Sequence, residues 1–283
     1  MVRDRTASRP APPDVDWSKV TRLAAPAILD GLLSMTIGVV GLLLVGRLGD
    51  AALAGMGAAL QLVWFAISFG SALGTGTTVT IAHAIGRGDR DAARHATVQA
   101  FLLAIGASVV IMGLAPMSRE LVAVLGGAPD VTEQGAAYVR VCLVGAVALV
   151  VPAVMSGALR GAGDTRTPML AGIAANFANL IVTPSLVFGL WDMPQLGVEG
   201  AAFGATFGRA IGGVVMAVVL LGGRRSVNLP WRVGERHRWR PDTAALRSLA
   251  GLSLPTAVEQ FQSTTATDRK STRLNSSHVS ESR

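Results

Sequence analysis

Long apolar runs broken by short charged clusters set the pattern of this chain, and their lengths predict membrane-spanning helices. From Leu23 to Gly46, 24 residues hold a single charge, Asp30. At about 1.5 Å of rise per residue such a helix covers the roughly 30 Å hydrocarbon core of a bilayer. After the link RLGD, Ala51 to Gly86 gives 36 residues without Asp, Glu, Lys or Arg. That is more than one crossing needs, so the pattern predicts one long tilted or kinked helix with its bend at Gly70, Gly74 and Gly76. Further spans are predicted at Ala96–Ser118, Val141–Leu159, Thr167–Trp191 and Gly200–Gly223. Between them lie a charged turn (Gly86–Ala96), a polar connection from Arg119 to Arg140 with a short amphipathic helix near Leu121–Leu125, and the tight loop RGAGDTR. The predicted fold is an all-α polytopic membrane protein, a six-helix transmembrane bundle over residues 17–223.

The flanks differ from the bundle. Residues 1–16 are polar, rich in Pro and Arg, and lack the apolar core of a signal peptide, so they read as a disordered cytoplasmic leader. Trp17 suits headgroup depth, with Lys19 and Arg22 reaching toward water. Residues 224–243 form a basic linker, and 244–267 open a partial seventh span. The tail 268–283, DRKSTRLNSSHVSESR, is Ser- and Arg-rich and resembles translated adapter DNA, so it reads as non-native and outside the fold.

Composition narrows the function. Half the residues are hydrophobic, 15% are charged, and 33 are Gly, a balance that fits a helical membrane protein. The net charge of +7 sits in the connections rather than along one face, which argues against nucleic acid as a partner. Alternate connections carry 17 Lys and Arg on the N-terminal side against three on the other, placing the N-terminus in the cytoplasm. Cys142 is the only cysteine and lies in an apolar run, so no intrachain disulfide is possible. His83 and His95 lack metal-ligand spacing, and the chain has no paired carboxylates, nucleophilic triad or phosphate loop. These patterns argue against an enzyme, an ATP-driven pump, a metal or an organic cofactor.

The informative residues are polar ones inside apolar spans. A carboxylate there costs about 2.5–3.5 kcal/mol on insertion scales, so Asp30 needs a partner, a proton, water or a task. LAAPAILDGL around Asp30 is echoed by LSLPTAVEQF around Glu259, with the acid four residues after a Pro in each. A duplicated unit would place both acids at equivalent depth. Asn176 and Asn179 share a helix face. With Gln61, Trp64 and Gln99 they are candidates for lining a cavity, although hydrogen bonding between helices serves each of them as well. Arg209, in the middle of the sixth span, fits a salt bridge (Asp30 being one partner), a reach toward a water-filled cleft, or a counter-ion for anionic substrate groups.

One string is more specific. RGAGDTRTPM, Arg160 to Met169, is a Gly-rich turn in which Asp164 can cap the next helix and Pro168 occupies its first turn. It resembles the loop between the fourth and fifth spans of the MATE (multidrug and toxic compound extrusion) antiporters, through Arg160, Gly161, Gly163, Asp164, Thr165 and Pro168. Leu42–Ala59, Gly74–Arg94 and Gly197–Arg209 resemble other parts of that family in the same order, and the likeness covers about Ser18 to Gln262. It implies a twelve-span protein of two lobes in the cell membrane, of which this chain supplies the first lobe and the start of the second. Such lobes rock between inward- and outward-facing states while an H⁺ or Na⁺ gradient drives export of small organic, often cationic, compounds. The implied partners are the bilayer, those compounds and the missing second lobe, and the coupling ion takes the place of a cofactor. Two family carboxylates are absent, since Gly41 and Thr183 stand where they would fall. Asp30, 11 residues before Gly41 and about 16 Å away along a helix, and Glu259 become the candidates for cation coupling. The alternatives are a lipid or oligosaccharide-lipid flippase of the same superfamily and a non-transporting membrane scaffold.

Overall fold

The computed structural model describes residues 17–222 and, further on, 239–247, 249–251 and 253, with side chains at Ile28 and from Gly31 onward. The described backbone is helical throughout its regular parts: α1 (Trp17–Gly46), α2 (Asp50–Gly86), α3 (Arg90–Met112), α4 (Ser118–Ala123), α5 (Pro129–Val144), α6 (Ala146–Gly161), α7 (Arg166–Phe188) and α8 (Gly197–Leu221). Four stretches, Asp50–Gly86, Arg90–Ala123, Arg166–Phe188 and Gly197–Leu221, are long and apolar enough to cross a bilayer, and α5 with α6 makes a fifth, bent by 52°. The 30-residue α1 lies against α7 and α2 and completes the bundle.

Two local expectations change. The fourth span begins at Pro129, not Val141, because α5 takes in most of the stretch read as a polar connection. Asp130, Glu133 and Arg140 made that stretch look like a loop. Its buried positions Thr132, Gly135, Ala136, Tyr138 and Val139 nonetheless fall on one helical face. The charged turn expected over Gly86–Ala96 shrinks to three residues. Gly88 takes a left-handed φ of 75°, and Asp89 accepts from the Ala92 amide at 2.8 Å to start α3 at Arg90. The one long helix expected over Ala51–Gly86 is α2, and its Gly70, Gly74 and Gly76 are points of close approach. A Cβ on Gly74 would sit 2.6 Å from the Ala153 carbonyl oxygen, and one on Gly76 would meet Ser253 and Leu249.

Small residues hold the bundle together. Gly157 of α6 packs on the Gly74 backbone, and the Thr78 hydroxyl donates to the Gly157 carbonyl at 3.0 Å. Across the most extensive helix pair, α7 and α8, Gly200, Gly204, Gly208 and Gly212 repeat every four residues. A Cβ on each would strike Leu186, Thr183, Ala175 and Ala171 in turn. Four-residue spacing keeps these glycines on one stripe, and close backbone approach supplies the dispersion contacts that drive helix association where no hydrophobic effect operates. Large apolar side chains point outward instead, with Phe177, Ile181, Val214, Val218 and Val110 each more than half exposed. A water-soluble fold would bury such a belt, whereas in a bilayer it is the solvated surface. The chain is therefore a multi-pass membrane protein.

Candidate functional site

The apolar bundle carries a polar stripe on α7. Asn176 donates from Nδ2 to Ser34 Oγ of α1 at 3.0 Å, and the Thr183 hydroxyl donates to Asn179 Oδ1 at 2.6 Å. Residues 176, 179 and 183 are three and four apart and so lie one above the other on the helix. Glycines of α8 make room for them, since Gly204 abuts Thr183 and a Cβ on Gly208 would lie 3.0 Å from Asn179 Cβ. Thr183 is buried with its hydroxyl satisfied by a neutral neighbour, so this position carries no charge. Gly41 has only the Met56 methyl nearby, at 3.9 Å from a virtual Cβ. Gly41 and Thr183, where the resemblance led to an expectation of carboxylates, are both neutral. Asp30 lies one helical turn before Ser34 on α1, with its side chain outside the described residues, and Glu259 also lies outside them.

Arg209 stands apart from that stripe. Midway along α8, it is half-buried and donates from Nη1 to its own helix at the Ala205 carbonyl, 3.2 Å away. Tyr138 and Cys142 are both buried on α5. Thr206 follows directly on Ala205, packs against Gly145 at the α5–α6 bend, and has a buried hydroxyl oxygen without a hydrogen bond among the described residues. Sequence reasoning passed over Tyr138 and Thr206. The signal available was that Tyr138 is the only tyrosine in the chain.

Gln99 has a different occupation from cavity lining. Fully buried on α3, it donates from Nε2 to the Arg240 carbonyl at 2.8 Å and accepts from the Asp242 amide at 2.9 Å. Both ends of its amide therefore grip the segment that returns to the bundle after α8. Trp239 meets Phe101 edge-on with ring centres 5.9 Å apart, and His95 Nε2 lies 3.3 Å from Asp242 Oδ2. Asp242 also accepts from the Ala244 and Ala245 amides at 2.9 and 3.3 Å, capping the helical turn that follows. The Ala245 amide above all, then His95 and the Ala244 amide, hold its carboxyl below the usual carboxylate range. Gln61 and Trp64 are exposed on α2.

A cavity of about 910 Å³ opens between α2, α3 and α5, lined by apolar side chains such as Phe65, Phe69, Leu102, Val110 and Leu143. Gln61, Trp64, Asn176, Asn179 and Arg209 are not among its walls. It offers space but no polar group to fix a substrate's orientation, so the polar clusters are the better candidates for chemistry. The described residues include no group of three His, Cys, Asp or Glu able to hold a metal ion.

The loop motif resolves into a cap. Asp164, buried, accepts from the Arg166 and Thr167 amides at 3.2 and 3.1 Å and from the Thr167 hydroxyl at 2.6 Å. Gly163 takes a φ of 85° to turn the chain, Thr165 sits at the α7 boundary without a capping bond, and Pro168 falls in the first turn. Gly161 packs at the Thr78 carbonyl, 2.7 Å from a virtual Cβ, while Arg160 is exposed.

A family model described as MatE matches residues 26–185. The chain is similar to a Thermotoga maritima protein described as a probable multidrug resistance protein NorM, 32% identical over 245 residues, which is 86% of this chain and 51% of that one. A solved structure described as MATE in complex with MaD3S superposes with a TM-score of 0.77 at 25% identity, covering 88% of this chain and 54% of the other. Another, an inward-facing conformation of a multidrug resistance MATE family transporter of the MOP superfamily, gives 0.71 at 26% identity, over 85% and 53%. The chain spans about half the length of the curated relatives it matches. With the helix order, the glycine seams and the capped loop all in place, the chain belongs to the MatE (MATE) family.

Proposed function

We propose that this chain acts as the first lobe of a cation-coupled efflux antiporter, exporting small organic compounds by alternating access with a second lobe. The observation that carries the reading is the α1–α7–α8 region. It is a glycine-seamed unit that carries neutral hydrogen-bonding groups, Ser34, Asn176, Asn179 and Thr183, on its apolar helices. Rigid lobes suit rocking motion, and midplane polar groups suit substrate or ion binding. Relatives named for multidrug resistance support efflux as the activity.

Because Thr183 and Gly41 leave this stripe uncharged, coupling falls to Asp30, with Glu259 as its counterpart after the linker. An H⁺ or Na⁺ gradient is the energy source, and no organic cofactor takes part. The excess of Lys and Arg in alternate connections supports a cell-membrane orientation with the N-terminus in the cytoplasm. The test is efflux from proteoliposomes holding the two-lobe transporter under an imposed H⁺ or Na⁺ gradient. Asp30→Asn together with Glu259→Gln should abolish gradient-driven export. Export at the unmutated rate in that double variant would sink the coupling assignment, and translocation of lipid without any gradient-driven export would replace the antiporter with the flippase.

A further inference from the structure

Side chains of α3 fasten the chain that returns after α8, and they do so in chemically different ways. Gln99 grips the Arg240 carbonyl and the Asp242 amide, Phe101 meets Trp239 edge-on, and His95 Nε2 lies 3.3 Å from Asp242 Oδ2. Further along, Leu249 and Ser253 pack on Gly76 of α2. Gln99 and the aromatic pair carry no titratable group. His95 and Asp242 do, and at 42% and 45% side-chain exposure both are open to protons from solution.

The surroundings of the imidazole are mixed in charge. Asp91 lies one turn before His95 on the same face of α3, and Arg94 adjoins it in sequence. The described elements that pack on α3 bring His83 of α2 with Arg87 just past its end, Arg160 at the end of α6, and Asp130, Glu133 and Arg140 of α5. The returning stretch adds Arg240 and Arg247. Among the described residues, the group bonded to the imidazole is Asp242.

We infer that His95 and Asp242 form a pH-sensitive latch, which fastens the returning chain to α3 when the imidazole is protonated and eases its hold when the imidazole is neutral. Histidine is the side chain that changes charge between about pH 5 and 8, and a carboxylate holds imidazolium more strongly than imidazole. The Asp242 carboxyl, kept below the usual carboxylate range chiefly by the Ala245 amide, stays ionised throughout that window, so the imidazole is the member of the pair that titrates there. A neutral ring still donates one hydrogen bond, which weakens the contact without abolishing it. Solvent screens a pair this exposed, so the change in the opening equilibrium is about two- to fivefold. The latch sits where the first bundle hands over to the chain assigned above to the second lobe. Its setting rests on the antiporter reading and its orientation, in which acid on the cytoplasmic side tightens the joint.

One amide reports the parting of the two pieces. The Ala244 and Ala245 amides bond to Asp242 itself and travel with it, whereas the Asp242 amide bonds to Gln99 of α3. The experiment is site-resolved hydrogen exchange at the Asp242 amide of the whole chain in a neutral detergent, from pH 5 to 8, corrected for intrinsic rate. It needs no substrate and no gradient, so its failure and the failure of efflux are separate results. Protection should fall by about two- to fivefold as pH rises. His95→Gln keeps a hydrogen-bonding side chain without a titrating charge and should remove the step. His95→Lys, charged throughout, should also remove it and be better protected than His95→Gln at pH 8, while His83→Gln should leave the parental step in place. A flat parental profile, protection that rises with pH, a step that survives His95→Gln or vanishes in His83→Gln, or His95→Lys no better protected than His95→Gln at pH 8 would overturn the latch.

Discussion

The glycine seam between α7 and α8 can be tested with one chemical change made at two places. A methyl on Gly208 would lie 2.6 Å from the Ala175 carbonyl oxygen, 3.0 Å from Asn179 Cβ and 3.3 Å from Asn179 N. Against a comfortable separation of about 3.5 Å, the helices must part by several tenths of an ångström or more, and a backbone carbonyl cannot rotate away. Gly57 on α2 has nothing within 4 Å of the same virtual methyl. Ala is favoured over Gly in a helix by about 1 kcal/mol, a gain common to both sites. Overpacking costs about 1–3 kcal/mol and falls on Gly208→Ala alone. Gly57→Ala should therefore be stabilising, and Gly208→Ala should melt below it by that 1–3 kcal/mol. At roughly 2–4 °C per kcal/mol for a chain of this size, the gap is about 2–12 °C. The assay is a fixed-rate thermal scan of both variants and the parent in one detergent, followed by tryptophan emission. Equal melting of the two variants would refute the claim that backbone contact at Gly208 holds α7 to α8.

Other consequences are simpler to measure. Asp164→Ala removes the acceptor for two amides and the Thr167 hydroxyl, and should cost about 1–2 kcal/mol in the same scan; an unchanged midpoint would remove the cap from the account. Arg140→Ala breaks a largely exposed ion pair and should shift stability by less than about 1 kcal/mol, so a larger loss would mean the pair is shielded from solvent as it acts. The Asp242 carboxyl is held below the usual carboxylate range, so its grip on the Ala244 and Ala245 amides is complete above that range and is lost as pH falls through the lowered folded value. Hydrogen exchange at those two amides, corrected for intrinsic rate, should accelerate only below about pH 4, and Asp242→Asn should abolish the step. A step at or above the ordinary carboxylate value would contradict the sign.

Much of the architecture was legible because apolar runs of bilayer length have few alternative meanings. The limits came from residues that are polar yet buried. Asp130, Glu133 and Arg140 hid the first half of the fourth span because hydropathy averages over a helix that has one wet face and one dry one. The α2 glycines suggested flexibility, and only the approach of α6 shows that they are contact surfaces. Asn176 and Asn179 were recognisable from spacing, but their partners Ser34 and Thr183 were not, since short hydroxyl residues are common in membrane helices. Gln99 was the least readable, because its partners lie some 140 residues away in a stretch that looks like plain linker.

That separation bears on how the bundle is made. At a synthesis rate of about 5–20 residues per second, roughly 7–28 s pass between the appearance of Gln99 and that of Arg240. Throughout that interval α3 is already made, and the carboxamide that will be sealed inside the finished protein lacks both of its backbone partners. An unsatisfied buried amide is costly, so the final closure of the α3 side awaits the returning chain at Arg240–Asp242. The ribosome thus sets the order of assembly there, and replacing Gln99 by Leu should let that face close early while removing the hold on the chain that arrives later.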